Sequence, residues 1–78
     1  MDKEKLGAFV QMLRKEQQMT QKELADKLCI TDKAVSKWER GLSYPDISML
    51  EPLSDALQVS VLELLQGERM PAEEPIPI

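Results

Sequence analysis

The stretch TQKELADKLCITDKAVSKWERG, residues 20–41, decides the fold because it predicts two short helices separated by only a few residues. The first helix begins at Thr20, whose hydroxyl can cap it while the carboxylate of Glu23 reaches back to the Thr20 amide. This arrangement is a capping box. The apolar residues Leu24, Ala25 and Leu28 follow at helical spacing, so the helix is expected to bury one face.

The second helix of this stretch is expected to have Thr31 as its N-cap and to end at Gly41. Val35 and Trp38 are its inward-facing positions, and we interpret Trp38 as a core residue and not as a side chain that stacks on a nucleobase. The connection between the two helices is too short for anything but a tight turn. Two short helices joined in this way form a helix-turn-helix.

Upstream of this unit the chain predicts an amphipathic helix from about residue 3 to 17. Leu6, Val10 and Leu13 recur at i, i+4 and i+7, and charged or amide side chains stand between them. This helix would cover the helix-turn-helix with its apolar face.

Downstream, Asp46 is a good N-cap for a fourth helix. Its apolar positions at helical spacing are Ile47, Leu50, Leu53, Ala56 and Leu57. Pro52 lies inside this helix and lacks the amide that would bond to the Ser48 carbonyl, so we expect a bend or a looser first turn there.

A second capping box, Ser60 with Glu63, predicts a fifth helix that ends at Gly67. Val61, Leu64 and Leu65 form its apolar face, and Leu62 lies outside that face. The chain is therefore expected to be all-α, with one compact five-helix domain over residues 1–67. Residues 68–78, ERMPAEEPIPI, hold three prolines and three glutamates and are expected to form an acidic, Pro-rich tail or linker without stable structure.

Composition excludes several classes of function. The chain has no histidine and a single cysteine, Cys29, so we expect no metal site, no internal disulfide and no cofactor. No apolar run approaches the roughly 18 residues that a membrane span needs, and the first residues lack the apolar stretch of a signal peptide. A cytoplasmic protein with no membrane partner and no small-molecule site is the expectation.

The net charge of −4 seems at first unfavourable for binding nucleic acid. The charge is unevenly distributed, however, because residues 1–40 hold nine Lys and Arg against seven Asp and Glu, whereas residues 41–78 hold one against seven. The first half is therefore weakly basic. Charge alone permits DNA binding without requiring it.

The motifs together resemble the phage repressor and Cro-like helix-turn-helix family, also called the xenobiotic response element family. The resemblance covers roughly residues 5–67. It depends on the Thr-Gln-x-x-Leu-Ala opening from Thr20, the Ser-x-Trp-Glu-x-Gly ending from Ser36, and the Pro45-Asp46 pair after the loop, which stand at family spacing. This family implies a bundle of the lambda-repressor-like type whose third helix lies in the DNA major groove.

The resemblance also implies roles for individual residues. It assigns base reading to Asp32, Lys33, Ala34, Ser36 and Lys37. It assigns phosphate binding to Gln21, Thr31 and Arg40, with Gln21 also supporting the third helix. It implies an ion pair between Arg14 and Glu39 that joins the first helix to the end of the third. Cys29 departs from the family, which often has glycine at this turn position with a positive φ.

Helical geometry supports part of this assignment independently. If Val35 and Trp38 face inward, residues 32, 33, 36, 37 and 40 project from the opposite side. Lys33 and Lys37 could then donate to guanine, and Asp32 could accept from cytosine. The alternatives are that the lysines bind phosphates or are simply solvated, and that Gln21 is a surface helix-former. For Arg40, both a phosphate contact and an interaction with the helix dipole remain open.

The sequence thus predicts a DNA-binding transcriptional regulator, with repression as the expected mode and double-stranded DNA as the partner. A homodimer on a pseudo-palindromic operator is expected, at least when DNA is bound. The alternative is a protein-interaction module or the antitoxin of a toxin-antitoxin pair built on the same fold. An enzyme is not expected, because carboxylates are scattered at helix caps and on solvent-exposed faces and no pocket is predicted to bring them together.

Overall fold

Five α-helices make up residues 2–69, which are the part of the chain that the computed structural model describes. In chain order they are α1 (Lys3–Glu16), α2 (Gln21–Leu28), α3 (Asp32–Glu39), α4 (Ile47–Leu57) and α5 (Val61–Gln66). No strand occurs within residues 2–69. The prediction of an all-α domain with five helices is confirmed.

Side-chain caps set the starts of the short helices. Both predicted capping boxes form: the Thr20 hydroxyl accepts from the Glu23 amide at 3.0 Å, and the Ser60 hydroxyl accepts from the Glu63 amide at 3.1 Å. In each box the glutamate accepts in return from the capping residue's amide. Thr31 accepts from the Ala34 amide at 3.3 Å and begins α3. Each such cap stabilises the fold by about 1 kcal/mol, so the short helices begin where the sequence predicts.

The core is built almost entirely from aliphatic side chains. α1 packs against α3, α4 and α5, and α2 packs against α3 and α4. The fully buried side chains include Leu6, Val10, Leu13, Leu24, Val35, Leu53, Leu57 and Leu64, joined by Phe9 and Trp38. Burying one leucine stabilises the folded state by about 2 kcal/mol. The helix-turn-helix pair, α2 and α3, is therefore held on a scaffold of α1 and α4.

Two apolar residues do not take the core positions that were expected of them. Ile47 is 85% exposed because it is the first residue of α4, and the buried residues of that helix begin only at Leu53. Leu65 is 38% exposed, since Leu64 alone in α5 turns fully into the core while Val61 is half-buried. Leu62 lies outside the apolar face, as predicted.

Two interruptions in the helical pattern are accommodated without breaking the fold. α4 runs through Pro52 from Ile47 to Leu57, so the proline does not end the helix. Cys29 follows α2 in the left-handed conformation, with φ at 57°, and its side chain is exposed. A non-glycine residue in this conformation costs roughly 1 kcal/mol. The turn between α2 and α3 nevertheless keeps the tight geometry that the motif requires.

Residues 68 and 69 lie beyond the predicted domain boundary at residue 67 and contact α1. Lys5 and Glu68 lie 3.8 Å apart, and Arg69 forms an ion pair with Glu16. A groove of about 270 Å³ lies between this segment and Ala8, Phe9 and Met12 of α1. The rest of the predicted tail, residues 70–78, lies outside the described residues. None of the five helices is long and apolar enough to cross a bilayer.

Candidate nucleic-acid interface

α3 has one buried side and one exposed side. Val35 is fully buried and Trp38 is 5% exposed, so both anchor the helix in the core as predicted. The side chains of Asp32, Lys33 and Lys37 are exposed on the other side. Lys33 and Lys37 are four residues apart and lie above one another on this side, and Asp32 lies beside them at the start of the helix. We call these three residues the α3 ridge.

The two smaller residues assigned to base reading are less accessible than the α3 ridge. Ala34 is half-buried and packs against the core cluster, and Ser36 is also half-buried. Neither side chain projects far from the helix. Ala34 and Ser36 can lie close to a molecule that binds α3, but they are not fully exposed as the residues of the α3 ridge are.

The two residues at the ends of α3 have local partners. Thr31 is exposed, and its hydroxyl accepts from the Ala34 amide, which leaves the hydroxyl proton available to an external acceptor. Arg40 is exposed, and its Nε donates to the Ser36 carbonyl at 3.3 Å. The same carbonyl accepts from the Arg40 amide at 3.1 Å, so the guanidinium is its second donor, which agrees with an interaction with the helix dipole. The other guanidinium nitrogens of Arg40 have hydrogens to donate elsewhere.

A buried ion pair fixes the end of α3 to α1. Arg14 donates from Nε to Glu39 Oε2 at 2.7 Å and from Nη2 to Glu39 Oε1 at 3.0 Å, which is a bidentate geometry. The two side chains are 10% and 2% exposed. Arg14 Nη1 also donates to the Met19 carbonyl at 2.8 Å. The structure thus brings together the two residues that the resemblance paired, and it adds the loop between α1 and α2 as a third partner.

Gln21 joins this network from the start of α2. Its Nε2 donates to Glu39 Oε1 at 3.0 Å, so the carboxylate accepts three hydrogen bonds from two side chains. Gln21 is half-buried, and its side chain contacts the last residue of α3. This arrangement agrees with a supporting role for Gln21 and not with a freely solvated helix-former.

The hydrogen bonds with Glu39 raise the pKa of Arg14 above its ordinary value, and burial opposes this effect. The guanidinium is therefore charged at neutral pH. Within residues 2–69 every buried side-chain nitrogen and oxygen has a hydrogen-bond partner. A network with all its polar groups satisfied is rigid, so it can hold α3 in one orientation.

Sequence reasoning missed one residue of this attachment, Gly7. A Cβ atom at Gly7 would lie 2.1 Å from the Trp38 carbonyl oxygen, so α1 and the end of α3 are in close backbone contact there. A glycine inside a helical pattern points to a packing reason, but it does not indicate which part of the fold lies against it.

The described residues hold no group of three His, Cys, Asp or Glu side chains that could bind a metal ion. The groove beside α1 is lined by residues of α1 and by residues 67–69, and by none from α2 or α3. The chemistry that the α3 ridge offers is therefore hydrogen bonding and charge at an open surface.

Comparison with known proteins places the chain in a family. The family model described as helix-turn-helix matches residues 10–64, which include all of α2, α3 and α4. The chain belongs to the helix-turn-helix family. The resemblance to phage repressor and Cro-like domains is confirmed.

Two curated relatives are regulators by name. The chain is 39% identical over 61 residues to the HTH-type transcriptional activator BcrR of Enterococcus faecalis, covering 78% of this chain and 30% of BcrR. It is 37% identical over 76 residues to the HTH-type transcriptional regulator DicA of Escherichia coli, covering 91% of this chain and 56% of DicA. The chain thus spans less than two thirds of the length of either relative. These names support the prediction of a regulator domain.

Among solved structures, the chain is similar to the P22 c2 repressor protein crystallised in complex with a synthetic operator. The TM-score is 0.77 at 33% sequence identity, and the match covers 81% of this chain and 96% of that chain. Almost all of that P22 repressor chain is therefore matched by this helix-turn-helix domain.

Proposed function

We propose that this helix-turn-helix domain binds double-stranded DNA sequence-specifically, with α3 in the major groove. The observation that carries the proposal is the exposure of the α3 ridge on a helix whose opposite side is buried and whose end is fixed by Glu39. A helix held in this way can present hydrogen-bond donors at constant geometry, which base recognition requires. The P22 repressor, solved with its operator, supports the same mode of binding.

The roles within the interface follow from side-chain chemistry. Lys33 and Lys37 donate to guanine O6 or N7, and Asp32 accepts from a cytosine amino group. Ala34 and Ser36 are small enough to let the helix backbone approach the bases. Thr31 and Arg40, at the two ends of α3, bind phosphates, and Gln21 contributes from the start of α2.

We further propose that the domain acts as a repressor and binds a pseudo-palindromic operator as a homodimer. Repression needs no contact beyond DNA, because a bound domain occupies the site that polymerase would use. Two copies related by a two-fold axis would place their α3 helices about one DNA turn apart. A promoter carrying the bound site upstream of a reporter tests the direction: reduced expression supports repression, and increased expression would match the activator named among the relatives.

Selection of bound sites from random duplex DNA tests the proposed DNA binding. We expect one enriched motif with two-fold symmetry and half-sites about one turn apart. Affinity for this motif should fall steeply with added salt, because phosphate contacts release counterions. If selection enriches no motif, the domain does not read sequence, and a protein-interaction role becomes the better explanation.

Single substitutions then test the assigned residues. Lys33→Ala and Lys37→Ala should each lower the affinity for the selected site by roughly 5-fold to 100-fold and relax the base preference at one position. Lys15→Ala is the matched control, because it removes the same exposed charge from α1. An equal loss on selected and unrelated DNA would instead assign the lysines to phosphates.

A further inference from the structure

Gly7 lies so close to the end of α3 that a side chain at position 7 would have no room. A Cβ at position 7 would lie 2.1 Å from the Trp38 carbonyl oxygen, and 3.0 Å and 3.1 Å from the carbonyl oxygen and carbon of Glu39. All three are backbone atoms, so no side chain could rotate away. The last turn of α3 would have to move by roughly 1 Å before the shortest distance became an ordinary carbon–oxygen contact.

Gly7 and Arg14 lie two turns apart on α1 and therefore on the same face. Both hold the end of α3: Arg14 through the side chain of Glu39, and Gly7 through the backbone of Trp38 and Glu39. The ion pair ties the two helices together, while the glycine determines how closely they approach. Gly7 also precedes residues 10–64, so it lies outside the part of the chain matched to the family.

We propose that Gly7 is a positioning residue for DNA reading, because it sets the depth at which the recognition helix α3 sits against α1. The inference rests on the proposed function, since it assigns to Gly7 the placement of the same α3 ridge. Lys37 directly precedes Trp38, whose carbonyl contacts Gly7. Any side chain at position 7 therefore displaces Lys37 together with the last turn of α3.

Such a displacement affects two kinds of DNA contact differently. Hydrogen bonds to base edges require donor–acceptor distances near 2.7–3.2 Å and good alignment, so a shift of roughly 1 Å breaks them. A lysine that binds a phosphate acts as a flexible point charge and tolerates the same shift. A change at Gly7 should therefore lower the preference for the operator more than the affinity for DNA in general.

The test compares Gly7→Ala with Ala8→Gly in the full chain. Each protein is titrated with the duplex selected by the wild type and with an unrelated duplex of equal length. For Gly7→Ala, we expect the ratio of the two affinities to fall roughly 10-fold or more, which corresponds to the loss of one base contact. Ala8→Gly weakens α1 by helix propensity at an exposed neighbouring position, and it should leave the ratio unchanged.

A second pair of variants decides the matter if Gly7→Ala does not fold. Gly41 and Gly67 have the same left-handed backbone conformation, with φ at 72° and 71°, which strains any residue with a Cβ, and each lies close to the first turn of α1. A Cβ at Gly41 would meet Glu4 Cγ at 3.0 Å, and one at Gly67 would meet Lys5 Cγ at 2.7 Å. They differ in the preceding helix, which is α3 for Gly41 and α5 for Gly67. Gly41→Ala should lower the affinity ratio, and Gly67→Ala should not.

The possible outcomes distinguish a failure of the positioning role of Gly7 from a failure of the proposed DNA binding. If the wild type shows no preference between the two duplexes, the proposed function fails and the inference fails with it. If the wild type prefers its site and Gly7→Ala folds and keeps the full ratio, the positioning role is wrong while the proposed function stands. An equal fall in Gly7→Ala and Ala8→Gly, or in Gly41→Ala and Gly67→Ala when Gly7→Ala does not fold, would also overturn it.

Discussion

Two arginine–glutamate pairs hold neighbouring parts of the molecule to α1, and they differ in their surroundings. Arg14 and Glu39, which fix the end of α3, are 10% and 2% exposed. Arg69 and Glu16, which hold the segment after α5, are 51% and 43% exposed. Both pairs make two hydrogen bonds. The same chemistry should therefore act as a rigid attachment in one place and as a weak surface contact in the other.

The two pairs differ in the free-energy cost of an ionised side chain that has lost its partner. An exposed charge that loses its partner is solvated by water, so the pair contributes roughly 0 to 1 kcal/mol. A buried charge that loses its partner has no water to replace it, and removing one member of such a pair costs several kcal/mol. The buried pair lies at the recognition helix, where an altered orientation would disturb DNA reading.

Arg14→Met should have the largest effect on stability. It removes two of the three hydrogen bonds that the buried Glu39 carboxylate accepts and leaves only the bond from Gln21. We expect a loss of roughly 3 kcal/mol in the free energy of unfolding, at the low end for a broken buried pair, since a tenth of Arg14 is exposed. In a domain of this size, Tm should fall by more than about 10 °C. Thermal unfolding followed by circular dichroism measures it. A Tm within 2–3 °C of the wild type, roughly 0.5 kcal/mol, would show that the network is not rigid.

Glu39→Gln should have an intermediate effect. The substitution keeps the shape of the side chain and an oxygen acceptor but removes the charge that pairs with Arg14. We expect a loss of roughly 2 kcal/mol, the range for hydrogen bonds to a charged group. Glu16→Gln makes the equivalent change in the exposed pair and serves as the control in the same thermal measurement. Equal effects of the two substitutions would contradict the comparison between the pairs.

Arg69→Met should lower the free energy of unfolding far less than Arg14→Met, because the pair with Glu16 is half exposed. Its small effect should disappear in about 1 M NaCl, where the Debye length is about 3 Å. The deficit of Arg14→Met should largely persist in the same salt. Chemical denaturation by urea, with and without the added NaCl, measures the loss of unfolding free energy in each variant. If the loss in Arg14→Met also disappeared in high salt, the ion pair between Arg14 and Glu39 would not behave as a buried pair.

Ser48→Ala should have the smallest effect, since it removes a contact at the fully exposed end of α4. The Ser48 hydroxyl donates to Asp46 at 2.5 Å and lowers the pKa of that carboxyl below its ordinary value of 3.8. A lowered folded-state pKa adds stability that is present above the ordinary value and is lost as the pH falls through the folded one. The difference between wild type and Ser48→Ala should therefore be constant near neutrality, begin to shrink as the pH approaches the ordinary pKa of 3.8, and vanish once the pH lies below the folded-state pKa. A difference that grows on acidification would reverse the assigned sign.

Much of the fold could be predicted from local sequence. The capping residues Thr20, Thr31 and Ser60 begin helices where expected, because a cap acts within three or four residues of itself. The inward positions Val35 and Trp38 follow from helical periodicity. Periodicity was less reliable at the helix ends, where Ile47 and Leu65 continue the apolar pattern but extend beyond the layer of core side chains.

The candidate site divides in the same way. The sequence by itself determined that α3 has an exposed ridge of Asp32, Lys33 and Lys37, because the spacing of its apolar residues leaves those positions outside. Its resemblance to known repressors implied the pairing of Arg14 with Glu39 and a supporting role for Gln21 at the third helix. Only the tertiary structure decided that Gln21 and the Met19 carbonyl complete this network and that Gly7 meets the backbone of Trp38. Those contacts depend on how closely two helices approach and on their angle, and no pattern within either helix encodes that distance.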